Sequence, residues 1–361
     1  VNISIASSSV VTALGPGTAV NAAAVQAGIS MVRESTYLSS KKSPIRMATL
    51  LDDCLPTLDK EISRQPSGRY RRMLQLLQLA LEELELGINT DLGMPVFINL
   101  PDNLGLSPQG LQTLQEVQRL SGININWLDS RLYLLGRAGG YRALADAWGL
   151  LEAGHARQAL VIGVDSCRCP RALAHWEKDG RLLLPHTNDG FFPGEGAGCL
   201  LLVANDEAST VKLGKPQVSR ESAHFYSEEV CLGKGLTEAF HEACHFIHDP
   251  VREVICGLNG ESAPIKEWGF AVSRLSDNQM ADSAGIMHPA DCYGDIGAAT
   301  VPVLLALTNA LLEEDHIKGP VLTWCASDYE TRGAAVMYKS ESQGNLQHLN
   351  VCNNEPRSEM K

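Results

Sequence analysis

The sequence predicts an α/β protein built from two successive βαβαβ-type halves. Short β-branched and aliphatic runs alternate with longer amphipathic stretches, the order expected of crossover connections and a largely parallel sheet. The alternation runs twice, around a polar seam at Asn205-Asp206-Glu207-Ala208-Ser209-Thr210. The run from Gln158 to Gly163 is apolar almost throughout, as a strand buried on both faces should be.

Taken in order, the opening Val1-Asn2-Ile3-Ser4-Ile5-Ala6 lacks a basic stretch leading into a hydrophobic one. It reads as a strand at 2–6 rather than a signal peptide. Further strands are expected at 95–100, 124–128, 158–164 and 197–204, then at 211–218, 252–258, 269–274, 320–326 and 334–338. Helices are expected between them at 18–27, 70–86, 108–120, 139–153, 235–247 and 299–313. Gly154 follows the fourth of these as a C-terminal glycine would. Gly194, Gly196 and Gly198, with Ala197, lack bulky side chains, so backbone or ligand can approach closely. This gives an N-terminal half at 1–208, a C-terminal half at 209–340 and a polar tail at 341–361.

Composition excludes several classes. A net charge of −12 argues against a surface that tracks nucleic-acid phosphates. No apolar run reaches the length of a membrane span. Most of the ten cysteines, Cys199, Cys256 and Cys325 among them, sit inside apolar runs. Reduced, buried cysteines look like this, and a cytoplasmic location is expected. Cys167 and Cys169 form the only close pair, without a second pair to complete a metal site.

The most informative stretch is Asp189-Gly190-Phe191-Phe192-Pro193-Gly194-Glu195-Gly196-Ala197-Gly198. It resembles the DGF-x-x-GEGAG loop of β-ketoacyl synthases, condensing enzymes of the thiolase superfamily. The likeness extends to the opening Ile5-Ala6-Ser7 through Val11-Thr12-Ala13-Leu14-Gly15, to Ala143–Asp165, to Pro264 and Glu267, and to Gly294, Gly297, Ala298 and Ala299. The blocks keep the family's order across most of 1–340. The resemblance implies a thiolase-like fold, with two βαβαβ-type halves in alternating helix and sheet layers. It also implies a dimer that pairs through a strand of the N-terminal half.

The family's catalytic positions are altered. Its nucleophilic Cys sits at the start of a buried helix, where the helix end lowers the thiol pKa and nearby N–H groups bind an oxyanion. Seventeen residues before Gly154 that position is Arg137, and no Cys occurs between Cys54 and Cys167. The first catalytic His, in H-G-T-x-T-P, aligns with Asn259 of Asn259-Gly260-Glu261-Ser262-Ala263-Pro264. The Lys and second His of K-S-x-x-G-H align with Ala290 and Asp295. Ser327-Asp328-Tyr329-Glu330-Thr331-Arg332 replaces the family's G-F-G-G turn. Arginine cannot form a thioester, asparagine cannot exchange protons as histidine does, and an ionised Asp295 would repel an enolate. The expectation is a degenerate site, with no catalytic residue and no cofactor or metal. In it Arg137 and Asp295 form a charge-assisted pair with Asn259 as a third partner.

Two other features of the sequence bear on function. His241-Glu242-Ala243-Cys244-His245 matches H-E-x-x-H, which on a helix sets two zinc ligands on one face. Ala239, Phe240, Ala243 and Phe246 supply an apolar face there, so a structural helix is expected instead. Cys292 is the cysteine expected near the cavity, with Asp291 and His288 close by.

The resemblance thus implies an inactive binding, scaffold or accessory subunit. It would form a homo- or heterodimer with a thiolase-fold chain, as chain-length factors of polyketide synthases do. An acyl carrier protein or a protein client, such as a secreted effector needing a chaperone, would be a further partner. The alternative is a divergent 3-oxoacyl-ACP synthase or acyltransferase of lipid or polyketide metabolism with relocated catalytic residues.

Overall fold

The computed structural model describes residues 1–59, 62, 68–85, 93–102, 110–245 and 247–340; Phe246 and the tail at 341–361 lie outside them. Up to the seam the elements are β1 (Ile3–Thr12), β2 (Gly15–Pro16), α1 (Thr18–Gln26), β3 (Arg33–Leu38), β4 (Pro44–Met47), α2 (Gly68–Glu83), β5 (Val96–Leu100), α3 (Gly110–Ser121), β6 (Arg131–Leu134), α4 (Gly139–Glu152), β7 (Gln158–Ser166), α5 (Pro170–Lys178) and β8 (Glu195–Ala204). After it come β9 (Val211–Leu213), β10 (Gln217–Arg220), α6 (Lys234–Cys244), β11 (Val251–Cys256), α7 (Ser262–Val272), β12 (Met280–Met287), α8 (Ala290–Tyr293), α9 (Thr300–Glu313), β13 (Val321–Ala326) and β14 (Thr331–Lys339).

The main sheet runs β12-β11-β13-β14-β9-β1-β8-β7-β5-β6. Its two sides meet at one pairing, Ile3 opposite Leu213. Side-chain alternation along β8 divides the core into layers. Leu200 and Leu202 face one cluster with α4 and α9, whereas Cys199 and Leu201 face another with α2. Helices α4 and α9 each touch strands from both sides of the seam, α4 through β5, β7 and β14 and α9 through β8 and β13. They form the central helical layer. Helix α9 is buried nearly all round, which explains its almost unbroken apolar sequence. Helices α6 and α7 cover β11, β13 and β14 on the far side.

Four sequence expectations need correction. The sheet is mixed rather than largely parallel. Pairs β5–β6, β5–β7, β11–β12 and β11–β13 are parallel, but β1–β8, β7–β8 and β13–β14 are antiparallel. Alternation of strands and helices does not encode direction, and the α5 segment returns the chain antiparallel. The expected strand at 124–128 is a turn, with only Ile125 bridging Met94. Asn126 accepts the Leu128 and Asp129 N–H groups through Oδ1, a local bond that competes with strand pairing. The strand itself, β6, begins at Arg131. The stretch 211–218 is split, because the pairing with β14 shifts register by one residue between the Leu213/Met337 and Gln217/Ala334 pairs, a bulge at which Pro216 has no N–H to give the ladder. The expected strand at 269–274 is the end of α7, where Trp268 and Ala271 face the core at helical spacing while Phe270 is exposed.

Candidate functional site

Arg137 precedes α4, after Gly136, whose φ of 64° places it in the left-handed region. Its side chain enters the junction between the two sides of the fold. Arg137 Nε and Nη2 donate to Asp295 Oδ2 at 2.6 and 2.5 Å. The expected pair is therefore present. Asn259 Nδ2 donates to the same oxygen at 2.7 Å, and the Gly297 N–H fills Oδ1 at 2.9 Å.

Arg181, Glu261 and Asp328, which no sequence motif singles out for this role, complete the arrangement. Arg181 grips Glu261 with Nε and Nη2, both at 2.7 Å. It also donates to both oxygens of Asp328, at 2.6 and 2.9 Å. Arg137 Nη1 bonds Asp328 as well, and Asn259 Nδ2 reaches Glu261 at 2.9 Å. Six side chains thus close a ring: Arg137, Asp295, Asn259, Glu261, Arg181, Asp328 and back to Arg137. Two cations face three carboxylates, and the Arg181 and Asp295 side chains are only 2% and 3% exposed.

The glycine-rich loop holds this ring from both ends. Pro193 bridges Asp295, the Gly194 N–H donates to the Asp295 carbonyl, and the Asp295 N–H donates to Phe192, each bond at 2.8 Å. Toward Arg181, the Phe191 N–H donates to its carbonyl at 2.8 Å. The Phe191 ring lies within reach of both guanidinium groups, its centroid 5.6 Å from Arg137 and 5.4 Å from Arg181, a cation–π arrangement. Asp189 accepts the Ser262 N–H at 2.9 Å, which ties the loop to the first residue of α7 and satisfies one of the open N–H groups at that helix end.

Electrostatics follow from this saturation. Burial raises the Asp295 carboxyl, but Arg137, Asn259 and the Gly297 N–H outweigh it and hold the group below the ordinary carboxylate range. The same contest, against Arg137 and Arg181, holds Asp328 well below that range. Burial works against the Arg137 charge, yet Asp295 and Asp328 keep it firmly protonated. At the start of α4, the Ala138 N–H donates to Ser327 Oγ at 2.9 Å. A donor suited to an oxyanion is thereby occupied.

The other candidates lie elsewhere. Ala290 starts α8, and its carbonyl accepts the Gly294 N–H at 2.8 Å. It lines neither cavity beside Arg137. One of these is about 260 Å³ and is lined by Arg181, Phe225, Cys231, Asn259 and Trp324 among others. The second is about 30 Å³ and touches Cys167, Phe191 and Asp295. Cys292, expected near the cavity, also lines neither; it packs in the central core, and burial pushes its thiol up. The wall cysteines are Cys231 and Cys167. Burial and Glu267 push Cys231 to about 11, and burial pushes Cys167 far up.

His241 lies on α6 and His245 caps its end. His241 Nδ1 faces the Gln279 amide at 2.9 Å. Among the described residues one trio has ligand-like spacing: Glu221, Cys231 and Glu267. Both carboxylates are engaged, Glu267 with Arg332 at 2.6 and 3.0 Å and Glu221 with the Gly235 N–H at 2.9 Å.

No protein-family model matches the sequence, and no curated protein matches it. Solved structures do match over nearly the whole chain. The ishigamide ketosynthase/chain length factor aligns at TM-score 0.66 and 18% identity, covering 94% of this chain and 99% of that one. A ketosynthase in complex with its chain length factor from Xenorhabdus doucetiae aligns at TM-score 0.73 and 14% identity, covering 94% and 98%. A β-ketoacyl synthase from Burkholderia phymatum aligns at TM-score 0.69 and 16% identity, covering 94% and 99%. The chain has the thiolase-like ketosynthase fold.

Proposed function

We propose that this protein is a catalytically inactive ketosynthase-like subunit that binds a partner rather than condensing acyl groups. The observation that carries the reading is the closed ring. Its members Arg137, Asn259 and Asp295 stand where the resemblance puts the nucleophile and two histidines, and every charged group is satisfied by a protein partner. In this reading 1–208 and 209–340 are the two halves of one scaffold, and Ala290 and Asp295 mark lost catalytic positions. The partner is a second thiolase-fold chain, identical or not, with an acyl carrier protein or a client as further candidates. Strand β6 ends the main sheet, with β5 as its neighbour, and offers a pairing edge. A cytoplasmic setting suits the free cysteines. No helix among the described residues is long and apolar enough to cross a membrane.

One observation favours a rival acyltransferase reading: the Cys231 thiol on the wall of the 260 Å³ cavity. Incubation with an acyl-thioester or a cerulenin-like electrophile, read by intact mass and peptide mapping, separates the two. The subunit reading expects no stoichiometric adduct. One adduct per chain at Cys231, or at any single cysteine, would overturn it. Co-expression with a cysteine-bearing ketosynthase, followed by size-exclusion chromatography with light scattering, tests the partner.

A further inference from the structure

Away from the ring, a cleft of about 550 Å³ opens between the starts of α2 and α5. Its wall carries Arg69, Arg71, Arg72 and Arg168 against one carboxylate, Asp52. In a chain of net charge −12, four guanidinium groups at one cleft stand out. Two are neutralised from behind. Arg69 pairs with Asp165 at 2.8 Å, and Arg72 pairs with Glu195 at 2.7 Å. Asp52 links Arg72 to Arg168, taking Arg72 at 2.6 Å and bonding Arg168 as well. Arg71 is exposed and makes no ion pair with a described residue.

We infer that this cleft binds a phosphate dianion, free or as the end group of a monoester. Among the described residues, the four arginines set against Asp52, Asp165 and Glu195 leave one formal positive charge in excess. The nine-residue helix α5 begins here at Pro170, with no side-chain cap at Cys169 and no acidic residue in its first turn. Helix α2 also has no acidic residue in its first turn. Each helix start adds roughly half a positive charge. The total matches a dianion better than a monoanion, and guanidinium forks suit phosphate oxygens. Asp52 shows that the cleft already favours negative charge. Its carboxyl sits at about 2, lowered first by the Arg168 hydrogen bond. Because its side chain is 63% exposed, it can swing aside and release Arg168 to an incoming anion. Asp52 is then an internal competitor for the site.

Titration calorimetry of the full chain with inorganic phosphate, at fixed ionic strength and pH 8, tests this. Saturable binding at one site is expected. Arg71→Gln and Arg168→Gln should each weaken it about tenfold, the loss expected for one charge-assisted bond. Asp52→Asn should tighten it several-fold, because the competitor's charge is gone. Thermal unfolding without phosphate confirms that each variant is folded. Absence of saturable binding by both the parent chain and Asp52→Asn would overturn the proposal. So would Arg71→Gln and Arg168→Gln binding as tightly as the parent. A phosphoserine peptide in parallel separates the sources: tighter binding than inorganic phosphate indicates a protein-borne monoester, and equal binding indicates the free ion.

Discussion

Arg137 gives two of its three guanidinium nitrogens to a single oxygen of Asp295, at 2.6 and 2.5 Å. The third goes to Asp328. With Asn259 and Gly297 also donating, neither charge of the central pair is left for a substrate. A buried pair of this kind is weak evidence of stability, because desolvation opposes the attraction.

Removing one partner is another matter. Asp295→Ala leaves Arg137 paired with Asp328 but deprives its buried Nε and Nη2 of their acceptor, and should cost about 1–3 kcal/mol in urea unfolding. Arg137→Met combined with Asp295→Leu removes both charges and should cost clearly less than the two single changes summed. Strict additivity in that cycle would show that the two side chains act independently.

Acid sensitivity should follow the same ring. Asp295 and Asp328 are held below the ordinary 3.8 in the folded chain. Their stabilisation is present above that value and is lost as pH falls through the lower folded values. The melting temperature should therefore hold through neutral pH and drop steeply below about pH 4. The Arg137→Met and Asp295→Leu double variant should show a shallower acid limb. An unchanged limb would place the titrating groups elsewhere.

Much of this was legible in the sequence. Spacing from Gly154 and the order of blocks placed Arg137, Asn259 and Asp295, because those positions sit on rigid elements shared with a known fold. Arg181, Glu261 and Asp328 were not found. Arg181 belongs to no motif; it is positioned by its carbonyl bond to Phe191. Charge balance offered one signal. Asp328 lies in the segment that stands in place of the family turn, and a mostly buried acid there needs a nearby cation. Strand direction and the α7 boundary were illegible for a different reason. Apolar runs such as 269–274 do not reveal their period when they are short.

Restoring the old chemistry should require more than a thiol. Arg137→Cys would place a thiol beside Asp295, Asp328 and Glu261, whose charges raise its pKa. Labelling by a cerulenin-like electrophile should stay slow in that variant. Adding Asp295→His and Asn259→His removes one carboxylate and supplies proton carriers, so the rate should rise roughly tenfold or more. Equal rates in the single and triple variants would mean that the ring does not control reactivity here.

The glycine-rich loop makes the last prediction. A Cβ at Gly194 would press into the Tyr293 carbonyl oxygen and approach the Asp295 carbonyl to 3.1 Å. Both obstacles are backbone, so neither can rotate away. The loop must shift, and the Gly194–Asp295 bond and the Pro193–Asp295 bridge shift with it. Gly194→Ala should therefore destabilise the chain by about 1–3 kcal/mol, the usual cost of overpacking. Gly149→Ala is the control. That glycine lies mid-helix in α4 with open space at its Cβ, so alanine there should stabilise by about 0.5–1 kcal/mol. Urea midpoints moving in opposite directions would tie the loop's glycine to the ring it holds; a neutral Gly194→Ala would separate them.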